Sequence, residues 1–369
     1  MIELFNQVYK NKKVFVTGHT GFKGSWLTLW LTMLGAEVVG YSLSPATEPA
    51  LFNVLGLENK ITHITGDIRD EESLKNALKA HKPEFVFHLA AQPLVRLSYK
   101  EPKLTYETNV MGTVNLFEAI RQTESVRAVV NVTSDKCYEN REWVYGYREN
   151  EPMGGYDPYS SSKGISELVT SAYRNSFFNH KVALASARAG NVIGGGDWAE
   201  DRLIPDCIRS LSKNEDLSIR NPVATRPWQH VLEPLSGYLW LGAMLCHDPV
   251  KYSEGWNFGP NDDDVLTVEE IVKKALVVWG KGNYEVLPPS GVHEAKLLKL
   301  DISKAKYYLN WKPVYTASDA VIKTVEWYKN YYLANIDMRK YTEDQVREYS
   351  DCAAKVGIQW SNGLKGLVC

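Results

Sequence analysis

Cysteine is scarce. Five occur, at positions 137, 207, 246, 352 and 369. The number is odd, no CxxC pair exists, and no cysteine pairs with histidine at metal-ligand spacing, so neither a disulfide framework nor a metal site is expected. Cys137 reads as a small core filler. An excess of either charge is also missing: 42 Lys and Arg stand against 44 Asp and Glu, with no basic block. That argues against nucleic acid and anionic membrane as main partners. Long apolar runs are absent too. Trp26 to Leu34 is too short to span a bilayer, and Gly35 closes it. The opening MIELFNQVYKNKK lacks the order of a signal peptide, which leads to an expectation of a cytoplasmic protein. No internal repeat occurs. What remains is 369 residues, 44% hydrophobic and 23% charged, enough for a large core and two lobes.

The stretch from Val14 to Gly24 organises the rest. Val14 to Val16 reads as a buried parallel strand. Gly18, Gly21 and Gly24 follow at a spacing of three, and Ser25 to Leu34 reads as an apolar helix. Gly18 makes the turn, Gly21 lets a pyrophosphate approach the backbone, and Gly24 lets helix and strand pack closely. The helix start offers unpaired N–H groups to the phosphates. The candidate cradle is Gly18, His19, Thr20, Gly21, Phe22, Lys23 and Gly24, with His19 and Lys23 expected to donate to the pyrophosphate. Further strands are expected at Glu37–Leu43, Ile61–Asp70 (ending in an acidic turn), Pro83–Gln92 and Ala128–Thr133, separated by helical segments near 70–79 and 110–123. This βα alternation predicts an open parallel sheet with helices on both faces. No Lys or Arg occurs between Lys23 and Lys60. A 2′-phosphate would lack a counter-charge there, so the expected cofactor is NAD rather than NADP. Ser42 or Ser44 replaces the missing ribose carboxylate, and Asp67 is expected to accept from the adenine amino group. Leu89, Ala90, Ala91 and Gln92 give the fourth strand a small-residue end on which a cofactor can lie.

Two sites carry chemistry. Thr133-Ser134-Asp135-Lys136 follows the fifth strand, where ligands of doubly wound sheets bind. Tyr159 and Lys163 share one face of a helix that opens at Pro158. A phenol beside an ammonium is expected to have its pKa lowered toward neutrality, fit to exchange a proton with a carbinol oxygen.

The glycine turn, Ser134, Tyr159, Lys163 and Asn109 in Thr108-Asn109-Val110-Met111-Gly112-Thr113 together resemble an extended short-chain dehydrogenase/reductase. Ser134-Asp135-Lys136 stands where the nucleotide-sugar 4,6-dehydratase family carries Thr-Asp-Glu. Gly18 to Trp26, with Ser134 to Tyr138, is most similar to members of that family acting on CDP-glucose, and the likeness runs to about Pro313. The resemblance implies an α/β fold: a Rossmann-type doubly wound parallel sheet with a smaller α/β lobe that binds the sugar nucleotide. It implies an NAD-binding part over 1–187 with a return segment over 228–258, a substrate lobe over 188–227 and 259–316, and a C-terminal helix and tail over 317–369. Ile68, Asn109 and Thr133 join the expected cofactor contacts, together with Tyr159 and Lys163. Expected substrate contacts are Ser134, Asn191, Arg202, Leu203, Ile204, Arg220, Arg226, Gln229, His293 and Glu294. The implied reaction is an internal redox dehydration of CDP-glucose, serving deoxysugar and lipopolysaccharide O-antigen synthesis. The implied assembly is a homodimer or homotetramer built on helices 109–123 and 158–177. In that scheme Ser134 binds the 4-oxygen, Asp135 is the acid and Lys136 is the departure from pattern. Burial beside Lys163 would make Lys136 a neutral base for the C5 proton; otherwise it is a cation stabilising the enolate or a structural partner of Asp135. Competing expectations are a 4-epimerase, which lacks the Asp135 acid, a GDP-mannose or dTDP-glucose dehydratase, and a silent NAD-binding sensor.

Overall fold

The computed structural model describes residues 3–178, 181–219, 221–287 and 297–362. Seven parallel strands form one sheet: β1 (Lys13–Thr17), β2 (Glu37–Ser42), β3 (Thr62–Thr65), β4 (Phe85–His88), β5 (Ala128–Val132), β6 (Ala183–Arg188) and β7 (Gly255–Asn257). Their order across the sheet is β7-β6-β5-β4-β1-β2-β3. It reverses between β1 and β4, the position at which such sheets open a ligand crevice. The central strands are apolar on both faces because both faces are covered. Val14 and Val16 of β1 join one core, and Phe15 between them joins the other. Ala128, Val130 and Val132 of β5 alternate with Val129 in the same way.

The nine longest helices are α1 (Phe22–Met33), α2 (Glu71–His81), α3 (Gly112–Arg121), α4 (Pro158–Tyr173), α5 (Leu203–Lys213), α6 (Leu232–His247), α7 (Val268–Trp279), α8 (Ala317–Leu333) and α9 (Met338–Lys355). Local sequence signals set several of their ends. Thr267 and Glu270 form a reciprocal capping box at the start of α7, and Gly280 ends it in the left-handed region. Thr316 and Asp319 cap α8 in the same way. The apolar segments α1 and α6 are buried on nearly every side, which explains their composition without a bilayer. No described helix is long and apolar enough to cross a membrane.

Three two-stranded ladders lie outside the main sheet: 192–193 with 229–230, 225–226 with 266–267, and 217–219 with 284–286. α5 packs against the 217–219 strand, and α7 against the 266–267 strand and α5. The C-terminal segment comes back to the first residues of the chain. Trp360 stacks on Phe5 at 5.0 Å and on Tyr349 of α9 at 5.7 Å. Glu233 ties this region together: its buried carboxylate accepts from the Val314 and Tyr315 N–H groups and the Tyr349 hydroxyl.

Candidate active site

The glycine turn has the shape of a phosphate cradle. Gly18 has φ +74°, and a side chain there would strike the Ala90 backbone at 2.6 Å. A Cβ on Gly24 would lie 2.0 Å from the Gly18 carbonyl oxygen. Gly21 differs: its Cβ would meet nothing closer than that same oxygen at 3.4 Å. Gly21 is also the N-cap of α1 and brings no side-chain cap. The helix therefore presents uncapped N–H groups beside open space, and those residues fit a dinucleotide diphosphate. At the end of β4, the Leu89 and Ala90 N–H groups donate to the Thr17 hydroxyl at 3.2 Å, which draws that small-residue segment against the turn.

Several predicted cofactor contacts point elsewhere. His19 is buried, and its Nε2 meets His63 Nδ1 at 2.7 Å. Burial, with His63 beside it, pushes its pKa down to about 3. The ring packs over Gly40 and edges onto Phe52, so it is a neutral core residue and not a pyrophosphate donor. The Thr20 hydroxyl pairs with the Ser42 hydroxyl at 2.9 Å, which engages the serine expected at the ribose. Asp67 receives Arg69 on both carboxylate oxygens at 2.5–3.1 Å, so an adenine amino group would compete with that guanidinium. Ile68 is buried against Gly112 and meets the core, not solvent. Asn109 uses its whole amide internally: Oδ1 accepts from Gln92 N at 2.8 Å, and Nδ2 donates to Gln92 O and to Ser162 Oγ. It braces the β4 loop against α4. The Thr133 hydroxyl donates to Glu167.

The catalytic candidates do converge. Asp157 caps α4, accepting from Ser160 N at 2.9 Å, and Pro158 fills the first helical position. This fixes Tyr159 in the first turn. Ser134 caps the short turn 135–137, and its hydroxyl donates to Asp135 Oδ1 at 2.9 Å. Asp135 is buried and lies on the open face of Gly190, where a Cβ would collide with its carboxylate. Asp135, Gly190, Gln229, Gly259 and Lys299 line one cleft. Burial pushes the Tyr159 phenol up to about 12, while its hydrogen bond with Ser134 works in the opposite direction. The expected lowering by Lys163 is absent: burial takes Lys163 down to about 8, partly offset by Glu167, and its Nζ is turned to the Val132 carbonyl at 3.5 Å. Lys136 is half-buried. Among the described residues it forms no ion pair with Asp135, which its structural reading would require.

A second cluster adjoins this one. Lys23 on α1 is pushed down to about 8 by burial and by Arg202, with Asp135 and Asp197 opposing. Arg202 pairs with Asp197 at 2.6 Å and lies near enough to Tyr159 to feel its charge. Leu203 is half-buried beside it, whereas Ile204 belongs to the core and offers no surface to a substrate. Asn191 adopts φ +49° and its carbonyl receives Gln229 N. Gln229 clips Gly190 to Phe258 through its Nε2, leaving its buried Oε1 without a described partner. Arg226 is half-buried on the 225–226 strand. Arg220, His293 and Glu294 lie outside the described residues.

Sequence reasoning passed over Glu167 and Arg188. A readable signal existed. Glu167 recurs four residues after Lys163 on the same helix face, and Arg188 ends an otherwise small and apolar strand.

A sheet of this order, with a glycine cradle at its crevice and a Tyr/Lys pair near a Ser–Asp couple, is the arrangement of a dinucleotide-binding dehydrogenase/reductase fold. Residues 15–324 match the family described as GDP-mannose 4,6 dehydratase, and the chain belongs to that family. It is 55% identical over 354 residues to the CDP-glucose 4,6-dehydratase of Salmonella typhimurium, covering 94% of this chain and 98% of that protein. It is 28% identical to the UDP-glucose 4-epimerase of Mycolicibacterium smegmatis, covering 86% and 99%. Among solved structures, the UDP-glucose 4-epimerase of Thermotoga maritima superposes with a TM-score of 0.74 at 23% identity, covering 86% of this chain and 99% of that one, which supports the fold.

Proposed function

We infer that the chain is a hydro-lyase that converts CDP-D-glucose to CDP-4-dehydro-6-deoxy-D-glucose and water, with NAD as its cofactor. The observation that carries this reading is Asp135, a buried carboxyl hydrogen-bonded to Ser134 in the cleft beside Tyr159. A dehydration needs such an acid for the departing hydroxyl, and a 4-epimerisation does not. The 55% identity to an enzyme of that name supports the cytidine nucleotide and glucose.

The cradle at Gly18–Gly24 would hold the NAD diphosphate, with Leu89 to Gln92 beneath it. When bound, NAD supplies a hydride acceptor for C4 and a donor for C6. Tyr159 takes the proton of the 4-hydroxyl, and Ser134 hydrogen-bonds that oxygen. Ser134 and Arg202 oppose the upward push of burial on the phenol, and Lys163 stands one turn along the same helix. With C4 oxidised, the C5 proton becomes acidic. Lys136 accepts it, while Asp135 gives its proton to the 6-hydroxyl as water leaves. Proton return to C5 frees Lys136, and passage of the 4-hydroxyl proton from Tyr159 to Asp135 through Ser134, which bonds to both, restores the starting state. Lys136 suits this role because no described residue occupies its amine. Arg202, Asn191, Gln229 and Arg226 would hold the sugar diphosphate, an anion matched by guanidinium forks.

We assign the cofactor part to 1–187 with 228–258, which β7 and its place in the main sheet support, and the substrate part to 188–227 with 259–316. The assembly we propose is a dimer or tetramer, supported by exposed Met111, Leu168 and Phe177 near α3 and on and beyond α4. A 41.7 kDa particle in light scattering would oppose it. Free thiols at Cys137, Cys207 and Cys352 support a reducing, cytoplasmic compartment, and the product class fits precursors of lipopolysaccharide deoxysugars.

Incubation with NAD and CDP-glucose should give a 4-ketosugar that absorbs in alkali. GDP-mannose, dTDP-glucose and UDP-glucose run in parallel test the base. Ketosugar from one of those alone refutes the cytidine assignment, and a 4-epimer without ketosugar refutes the dehydration.

A further inference from the structure

Glu167 and Arg188 take no part in the scheme above, yet they form the most enclosed ion pair among the described residues. Their side chains are 4% and 5% exposed and meet at 2.8 Å. Glu167 stands one helical turn beyond Lys163 on α4. Its carboxylate accepts from the Thr133 hydroxyl, from the Ser186 hydroxyl at 2.6 Å and from Arg188. Arg188, the last residue of β6, donates with its other terminal nitrogen to the Tyr138 hydroxyl at 2.5 Å and to the Glu149 carbonyl at 3.1 Å. The Tyr138 hydroxyl in turn donates to Asn257 Oδ1 at 2.8 Å, on the last residue of β7. Thr133 and Tyr138 flank the loop that carries Ser134, Asp135 and Lys136. One buried pair thus grips both ends of that loop, from the helix that carries Tyr159 and Lys163. Buried ion pairs are a poor source of stability compared with well-packed apolar residues, so its place beside the loop calls for a role in geometry.

We propose that Glu167 and Arg188 are positioning residues that hold Ser134, Asp135 and Lys136 at a fixed placement relative to Tyr159 and Lys163. This rests on the catalytic reading of those five residues. Glu167 has a second consequence: among the groups that favour the charged form of Lys163, it acts most strongly.

Thr133→Val removes one donor to Glu167 while leaving the ion pair and the side-chain shape in place, and Thr133→Ser restores the donor. For CDP-glucose dehydration, kcat of T133V should fall about tenfold to a hundredfold with KM changed less than about threefold, because sub-ångström misplacement acts on the chemical step. NAD affinity should stay at the wild-type value, and T133S should recover most of the rate. In Glu167→Gln, the alkaline limb of the pH–kcat profile should move to lower pH, because Lys163 loses a counter-charge. Should E167Q not fold, the T133V and T133S pair decides alone. A T133V enzyme as fast as wild type, or a loss that T133S does not repair, overturns the proposal. If wild-type protein itself fails to dehydrate CDP-glucose, the catalytic reading falls, and the positioning role falls with it.

Discussion

Two alanine substitutions in the glycine turn should have opposite consequences. At Gly24 an added methyl lies 2.0 Å from the Gly18 carbonyl oxygen and 2.8 Å from the His19 Cα. Both obstacles are backbone, so α1 must move away from β1. Overpacking of this kind costs about 1–3 kcal/mol, equivalent to a Tm fall of roughly 1–4 °C for a chain of this size. At Gly21 the backbone has φ −76° and ψ 170°, which alanine adopts freely. Its methyl meets only one atom, at 3.4 Å. The cofactor-free protein should therefore keep its Tm within about 1 °C, since surface changes without a clash stay near ±0.5 kcal/mol. The methyl would occupy the space in which the diphosphate approaches the uncapped helix start. Losing one charge-assisted hydrogen bond, about 1.5–3 kcal/mol, raises the NAD dissociation constant roughly tenfold to a hundredfold. Calorimetric titration of NAD into stripped protein, with thermal melts of the same samples, reads both quantities. If Gly21→Ala binds NAD as tightly as wild type, the diphosphate does not lie there and the cradle is misassigned.

The other expectations concern single side chains. Lys136→Met should abolish solvent-deuterium exchange at C5 and spare reduction of NAD by the sugar; exchange that persists would make Lys136 the enolate-stabilising cation instead. His19→Ala should cost about 1–3 kcal/mol of stability through the lost His63 hydrogen bond and packing, seen as a lower Tm, and leave NAD affinity within about twofold; weakened binding without loss of stability would restore the histidine to the cofactor. Burial pushes Glu233 from 4.5 up to about 7. Its folded-state pKa is raised, so its contribution is fully present below pH 4.5 and is lost as pH rises through 7. That window is worth on the order of 3 kcal/mol. Denaturant unfolding of Glu233→Gln should accordingly show a flatter decline between pH 5 and 8 than wild type, and parallel profiles would refute the assignment.

The alternation of strand and helix was legible because period and punctuation agree along the chain. The aromatic segment Ala317 to Leu333 reads as one helix and is one, bounded by the Thr316–Asp319 box. Tyr159, Lys163, Ser134 and Asp135 were legible as well, because strand ends and helix faces place them together. Side-chain direction was not. His19 lies in a turn built for phosphate, yet Gly40 on the neighbouring strand leaves a hollow that its ring fills. Nothing local to residue 19 encodes that hollow. Asn109 and Thr133 likewise face partners, Ser162 and Glu167, that lie 53 and 34 positions away. Lys136 depends on a burial that only the packed chain determines. The tail was opaque for the same reason: α9 is polar on average, and its few apolar positions find Trp30 and Trp360 only after folding.

The central claim is that the hydride removed at C4 is the one delivered to C6. CDP-glucose deuterated at C4, turned over by purified protein in ordinary water, should give product with deuterium in the C6 methyl group by mass spectrometry and NMR. Product whose methyl group carries no label, with deuterium washed out or left on released NADH, would contradict the account.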